Sequence, residues 1–289
     1  MFSIVGIVVV IGAILGGYLM EHGNMKVLLQ PAELLIIGGA GVGTLLVANP
    51  LPVIISLFKA VLGVFQSDKY NKARYLTALK MLNELFRRAR KEGLSGLEPD
   101  VEEPENSEFF KKYPDILKNH HTINFICDTL RTAMAGTVSH FDLDQLIELD
   151  LDVHHKEVSQ PVQALSSVAD SLPGLGIVAA VLGIVITMSA LGGPPEELGR
   201  KVAAALVGTF LGILMCYGFL SPLAAAMGRL NDAESHYYHC LRTGLIAFIR
   251  GAAPILAVEF SRRSIPSAVR PSFKEMEESF RAKVEQIAA

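Results

Sequence analysis

The chain has 289 residues, of which 51% are hydrophobic and none is tryptophan, and its formal net charge is −3. A mean hydropathy of +0.38 is too high for a water-soluble domain of this length, so membrane-spanning segments are expected. We therefore expect contact with membrane lipid and none with nucleic acid.

Four runs carry no Asp, Glu, Lys, Arg or His, and each is about as long as the ~20 residues that cross a bilayer core. They are residues 1–20, 34–58, 171–195 and 202–228. The first run lacks the basic start and the small-residue cleavage site of a removable signal peptide, so we expect it to remain as a helix. The sequence predicts an all-α integral membrane protein with four transmembrane helices.

The distribution of Lys and Arg predicts the orientation in the membrane. Nearly all of the 26 Lys and Arg residues lie in 59–170 or 229–289. Loops rich in these residues face the cytoplasm, so both termini are expected there. The two external loops, 21–33 and 192–201, are then short.

These segments divide the chain into four parts. We predict a transmembrane hairpin over 1–58, a large helical cytoplasmic domain over 59–170, a second transmembrane hairpin over 171–228 and a helical cytoplasmic tail over 229–289. Nearly all of the mass outside the bilayer is then expected in the cytoplasm.

The cytoplasmic domain is predicted to be helical. Apolar residues recur at spacings of three and four over 71–91, which predicts an amphipathic helix with Asp68 as a candidate cap and Gly93 beyond its end. The acidic, proline-punctuated stretch 94–114 predicts a loop with at most short helical turns. A second helix is expected from about Asn119.

A third helix is expected to lead directly from the cytoplasmic domain into the third span. It starts near Asp142 and contains Pro161 as a candidate bend. The apolar stretch 245–258 is similar in composition to a fifth span, but an arginine, a glycine and a proline interrupt it. We predict no fifth span.

The tail is predicted to end in a helix that begins at Ser272. Glu275 follows three residues later, a spacing typical of a capping box. The expected buried face of this helix consists of Met276, Phe280, Val284 and Ile287.

The sequence contains no motif that indicates an enzyme. It lacks a phosphate-binding glycine loop, an HExxH motif and a nucleophile elbow, so we expect no catalytic site and no cofactor. His154 and His155 lie near two aspartates, but adjacent helical residues point ~100° apart, so we interpret the pair as a solvated polar face rather than a metal site. Cys127, Cys216 and Cys240 are scattered and predict free thiols.

Small residues form stripes in three of the four runs. They recur at spacings of three or four in the first, third and fourth run, beginning at Gly12, Gly176 and Ala205. Such stripes allow helix backbones to approach closely in lipid, and three of them exceed what one hairpin pairing needs. We therefore expect an oligomer.

The absence of ionisable residues from the four runs is equally informative. Ion pathways usually carry such a residue at membrane depth. Either the chain moves no ion, or a partner provides the ionisable group; composition leaves both open.

Four stretches carry a family resemblance. They are SLPGLGIVAAVLG at 171–183, VGTFLGILMCYGFLSPL at 207–223, RKEGLSGLE at 90–98, and AVEFSRR at 257–263 followed by RPSF at 270–273. In this order, with four predicted spans and the insertion after the second, they resemble the flagellar motor stator A subunit (MotA) of the MotA/TolQ/ExbB proton channel family. The resemblance covers essentially the whole chain.

The resemblance implies an ion-driven motor component in the bacterial inner membrane. It implies a homopentamer around a dimer of the stator B subunit (MotB), whose aspartate carries the proton. Ion flow would rotate the ring of A subunits, and the cytoplasmic domain would push the rotor switch protein (FliG).

The resemblance also assigns roles to individual residues. Pro173 and Pro222 match two prolines that couple ion flow to torque, although each can simply mark a helix end or kink. Thr209 matches a hydroxyl that faces the pore; otherwise it can bond back to its own helix. Arg90 and Glu98 match charged residues used against the rotor, where a solvated face is the alternative.

The residue type at position 180 indicates which ion drives the motor. Sodium-driven relatives resemble Gly-Thr-Leu-Ile-Gly at this point of the third span, with a threonine hydroxyl where this chain has Ala180. A desolvated sodium ion needs several oxygen ligands, so the methyl group favours proton coupling. One local departure from the family is Ser95-Gly96, where more hydrophobic residues are usual.

Two alternatives remain open at the level of sequence. An energiser of envelope processes similar to TolQ and ExbB would have three spans and an external N-terminus. A non-conducting membrane scaffold would display the helical domain and pass no protons with any partner.

Overall fold

The computed structural model describes residues 2–66, 69–189 and 192–281, and within these ranges it contains helices and no strands. The described residues form two compact units, and each unit is built from two separate stretches of the chain. We call Met1–Ser67 with Glu157–Asn231 the membrane unit, and Asp68–Lys156 with Asp232–Ala289 the insertion-tail unit.

The membrane unit contains the apolar helices. In chain order they are α1 (Phe2–Met20), α2 (Met25–Leu28), α3 (Pro31–Ala48), α4 (Leu51–Val64), the second part of α9 (His140–Met188), α10 (Pro195–Ile213), a π-helix (Leu214–Leu220) and the start of α11 (Ser221–Ile249). Among the described residues, four helical segments are long and apolar enough to cross a membrane. The predicted all-α fold with four spans is confirmed.

The second span differs from the predicted run 34–58. Helix α3 starts three residues earlier, at Pro31, and ends at Ala48. Pro50 has no backbone N–H and restricts the residue before it, so the helix stops and α4 begins separately at Leu51. One consequence is that Glu33, which we expected in the external loop 21–33, lies in the first turn of α3.

Helices α9 and α11 contribute residues to both units. Helix α9 runs unbroken over His140–Met188, as expected for a helix that leads into the third span, and contains Pro161 and Pro173. Helix α11 ends at Ile249, and Gly251 follows with a φ of +95° before α12 (Pro254–Ser264) begins. The apolar stretch 245–258 is therefore no span, as predicted.

The insertion-tail unit encloses one large hydrophobic core. It is built from α5 (Lys72–Glu92), a 3₁₀ turn (Leu94–Leu97), α6 (Glu98–Glu102), a second 3₁₀ turn (Phe110–Lys112), α7 (Pro114–Leu117), α8 (His120–Met134), the first part of α9, the later part of α11, α12, and α13 (Phe273–Arg281). The stretch 94–114 is thus short turns, as predicted. Phe86 and Phe248 stack at the centre of this core, with ring centroids 4.4 Å apart.

Helix caps agree with the polar residues at the predicted boundaries. Asn71 caps α5 by accepting a hydrogen bond from the backbone N–H of Arg74, while the candidate cap Asp68 lies outside the described residues. The capping box of α13 is confirmed: the Ser272 N–H donates to Glu275 and the Glu275 N–H to Ser272. Val284 and Ile287 lie outside the described residues.

Candidate ion-coupling and rotor sites

The third and fourth spans pack backbone against backbone. A Cβ atom added at Gly212 would lie 2.5 Å from the carbonyl oxygen of Leu172 and 2.9 Å from the Cα of Gly176. A Cβ added at Gly176 would lie 2.8 Å from the carbonyl oxygen of Gly208. The small-residue stripes therefore serve close contact between α9 and α10, as residues of this type do in lipid.

Two sequence-predicted residues lie at this contact. The Cα of Thr209 is 3.3 Å from the Cβ position of Gly176, and the Thr209 side chain is half-buried. Ala180 is 9% exposed and lies one turn beyond Gly176 along α9. The structure thus brings Ala180 and Thr209 to neighbouring levels of one helix pair.

The two predicted prolines lie inside continuous helical segments. Pro173 is in the interior of α9, where its ring removes the N–H that would bond the carbonyl of residue 169. Pro222 is the second residue of α11, which directly follows the π-helix Leu214–Leu220. Neither proline lies at the end of its helical segment, and a helix kink, with or without a role in coupling, fits both positions.

A carboxylate that the sequence reasoning did not select lies near the same contact. Glu33 is 7% exposed, and its Oε2 would be 2.6 Å from a Cβ at Gly208 and its Oε1 3.5 Å from one at Gly183. The absence of a side chain at Gly208 therefore leaves room for the carboxylate in its present position.

The predicted rotor residues lie at the end of α5 and just beyond it. Arg90 and Glu98 are both exposed, and no hydrogen bond or ion pair is shown for either among the described residues. Their backbone is held by a neighbour: the Arg88 guanidinium pairs with Glu92 and Asp100 and donates to the carbonyl of Gly96 at 3.2 Å.

Packing against α5 explains why position 96 carries a glycine in this chain. A Cβ there would lie 2.6 Å from the Cβ of Glu92, so a larger residue would force the turn away from α5. Leu97, one residue on, is 1% exposed and anchors the turn in the core. The departure from the usual family residues therefore leaves the turn packed.

The histidine pair is placed differently from our expectation. His154 is half-buried, stacks on the ring of His121 with centroids 3.7 Å apart, and lies 3.8 Å from Glu234. The interpretation as a solvated face is wrong for His154, because α8 and α11 cover that side of α9. His155 is exposed and lies 2.9 Å from the hydroxyl of Ser235.

Comparison with known proteins identifies the family. The model of the motility protein A N-terminal domain matches residues 4–93, and that of the MotA/TolQ/ExbB proton channel family matches residues 118–239. Motility protein A of Salmonella typhimurium is 42% identical over 282 residues, which cover 98% of this chain and 96% of the relative. The chain belongs to the motility protein A family.

Two further similarities support this membership. Motility protein A of Escherichia coli is also 42% identical over 282 residues, with the same coverage of 98% and 96%. The solved structure of MotAB from C. jejuni matches with a TM-score of 0.76 at 17% identity and covers 94% of this chain and 98% of that one. This member of the motility protein A family is therefore a multi-pass membrane protein with that fold.

Glu33 of this family member escaped the sequence analysis for a definite reason. A count of charges within apolar runs stops at the first charged residue, so Glu33 became the edge of a loop. The Pro31 that precedes it by two residues was the available indication, because proline favours the first turn of a helix and places the following residues inside it.

Proposed function

We propose that this chain is the proton-conducting A subunit of a flagellar motor stator. Membership of the motility protein A family is the observation that carries the proposal. The four charge-free runs support it, because a proton that crosses them beyond Glu33, in the first turn of α3, needs a carboxyl group from another chain. That chain would be the B subunit, MotB.

The proposed assembly is a ring of five copies around a MotB dimer in the bacterial inner membrane, with both termini in the cytoplasm. Its support is an apolar face on α9: Val178, Val181 and Val185 are 50%, 52% and 61% exposed at spacings of three and four. Such a face in one chain is suited to cover by lipid or by partner helices. The membrane potential would supply about 2.3 kcal/mol per proton per 100 mV.

In this proposal the insertion-tail unit delivers the torque. Arg90 and Glu98 are exposed opposite charges near one end of α5, which suits them to steer and hold a charged rotor partner such as FliG. Pro173 and Pro222 would let α9 and α11 change shape as protons pass.

The test is proton flux with and without the partner. In cells that lack their own stators, co-expression with a MotB that lacks its plug segment should acidify the cytoplasm when the external pH is lowered. The chain alone should cause no acidification. Flux from the chain alone would contradict a channel shared with MotB, and no flux with MotB would favour the scaffold alternative.

The TolQ/ExbB-like energiser has less support. It would have three spans, whereas the described residues contain four helical segments of sufficient length and hydropathy. Cysteine labelling of the first loop and the chain ends would decide between them, since the energiser requires an external N-terminus.

A further inference from the structure

The carboxyl group of Glu33 is buried between α9 and α10. It is 7% exposed, and its Oε2 has no hydrogen-bond partner among the described residues. Its carboxylate lies opposite two glycines, Gly183 of α9 and Gly208 of α10, and Ala179 of α9 also lies beside the Cβ position of Gly208. A buried carboxylate without a partner is costly, so its retention in a membrane helix indicates a function.

Among the residues that the structure describes, no ion pair to this carboxyl group is found. On α10 the nearest charged residue in sequence is Lys201, about 10 Å along the axis at 1.5 Å per residue, and it pairs with Glu197 at 3.1 Å. On α9 the nearest is Asp170, about 20 Å before the contact point. Helix α3 has no other titratable residue, and Lys26 belongs to α2.

Two opposing influences act on the charge of Glu33. Burial among glycine and alanine favours the neutral acid. The position in the first turn of α3 favours the anion, because the positive end of the helix dipole lies there. The site therefore offers one influence that favours the neutral acid and one that favours the anion, as a group that binds and releases a proton requires.

The location connects Glu33 to the predicted ion pathway. Gly208, which its Oε2 faces, is adjacent to Thr209, and Gly183 lies one turn from Ala180. Glu33 lies in the first turn of α3, at the end of the helix that the predicted orientation places on the external side. Its carboxylate is therefore on the external side of the helix pair and close to the level of Ala180 and Thr209.

We propose that Glu33 is a proton-binding station of the A subunit itself, which loads the pathway from outside. A hydronium ion gives its proton to the Glu33 carboxylate and leaves as water. The resulting carboxylic acid then gives the proton, directly or through water, to the ionised carboxylate of the partner subunit and becomes an anion again. No other bond changes, and charge balances at each step. This inference rests on the proposed function.

Substitution at Glu33 tests the station by flux. With plug-deleted MotB, Glu33→Gln should lower the acidification rate at least about tenfold, since a positioned proton-transfer group typically contributes more than that. Glu33→Asp should conduct with a shifted dependence on external pH. Glu21→Gln, an exposed acid in the preceding loop, should behave as wild type. A Glu33→Gln variant with wild-type rate and pH dependence would overturn the proposal.

A second pair of variants retains Glu33. One of the two is designed to shift its carboxylate, and the other is the control. Gly208→Ala places a methyl group 2.6 Å from the present position of Oε2 and should displace the carboxylate and reduce flux. Gly199→Ala, on the same helix with no atom within 4 Å of the new Cβ, is the matched control. Unchanged flux in Gly208→Ala would count against the station even if Glu33→Gln failed to assemble.

An infrared measurement separates this proposal from the proposed function. The purified chain and its Glu33→Gln variant are compared as the pH is lowered. The difference spectrum should contain a carboxylic acid carbonyl band of Glu33, beyond the bands that the other Asp and Glu residues contribute to both proteins. Flux in the wild type without this band would leave the stator function standing and refute the station. The band without flux would support a titrating Glu33 and refute the channel.

Discussion

Arg262 and Glu259 form a two-pronged ion pair on α12, with both nitrogen–oxygen distances at 2.7 Å. Arg263 donates to the same carboxylate at 2.8 Å, and Arg262 also donates to the carbonyl of Pro271 at 3.0 Å. The tail stretches AVEFSRR and RPSF are therefore joined by hydrogen bonds as well as by sequence order.

The first prediction concerns pH and stability. Hydrogen bonds from Arg262, aided by Arg263, outweigh burial and lower the pKa of Glu259 to about 2. Because the folded pKa lies below the usual 4.5, the stabilisation is complete above that value and is lost as the pH falls towards 2. Glu259→Gln should lower the free energy of unfolding by about 1–3 kcal/mol at pH 7 and by less at pH 3.

Chemical denaturation in detergent, followed at both pH values, measures this difference. Glu278→Gln is the control, since Glu278 is 64% exposed and 3.9 Å from Lys274. An equal loss of stability at pH 3 and pH 7 would show that the carboxylate charge is not the cause.

The second prediction concerns the rotor residues. Arg90→Glu or Glu98→Lys should impair swimming and leave assembly and proton flux intact, because both side chains are exposed in the insertion-tail unit. Surface changes of this kind cost within ~0.5 kcal/mol of stability. Lys91→Glu is the matched control, an exposed neighbour on the same helix. Normal swimming of the Arg90 and Glu98 variants would remove them from the rotor site.

The third prediction concerns Pro173. Pro173→Ala restores a backbone donor in the interior of α9 and should straighten the start of the third span. We expect the variant to assemble and to turn the motor poorly, measured as torque of tethered cells. Pro161→Ala makes the same change elsewhere in α9 and should have a smaller effect. Wild-type torque from Pro173→Ala would assign the proline to folding alone.

The fourth prediction concerns the coupling ion. Because Ala180 has no oxygen and Thr209 offers one hydroxyl per chain, swimming speed should not change with external sodium and should stop with a protonophore. Swimming that follows sodium in protonophore-treated cells would contradict this. Ala180→Thr adds the missing hydroxyl and tests whether one residue is sufficient to admit sodium.

The spacing of apolar residues, together with the capping residues, glycines and prolines at helix ends, predicted most of the fold. The capping pair Ser272–Glu275 and the glycine beyond α5 marked helix ends because both act through local backbone geometry. The end of α3 at Ala48 was missed, since a run of apolar residues does not itself reveal where Pro50 divides it.

The candidate sites were less accessible to sequence reasoning. Which groups meet between α9 and α10, or around His154, depends on contacts between residues far apart in the chain. Glu33 and Gly208 are 175 positions apart, and no local pattern relates them. The family resemblance supplied Ala180 and Thr209, and the geometry added the carboxylate beside them.

The contact between α9 and α10 limits how the membrane unit can move. Its closest atoms at Gly176, Gly212 and Leu172 belong to the backbone, so no side chains are present there to change rotamer and let one helix slide along the other. Shear between the two helices would require them to separate first. Any motion that accompanies ion passage is then expected to move the paired segments of α9 and α10 together as one rigid body, with bending confined to Pro173 and the helix before it.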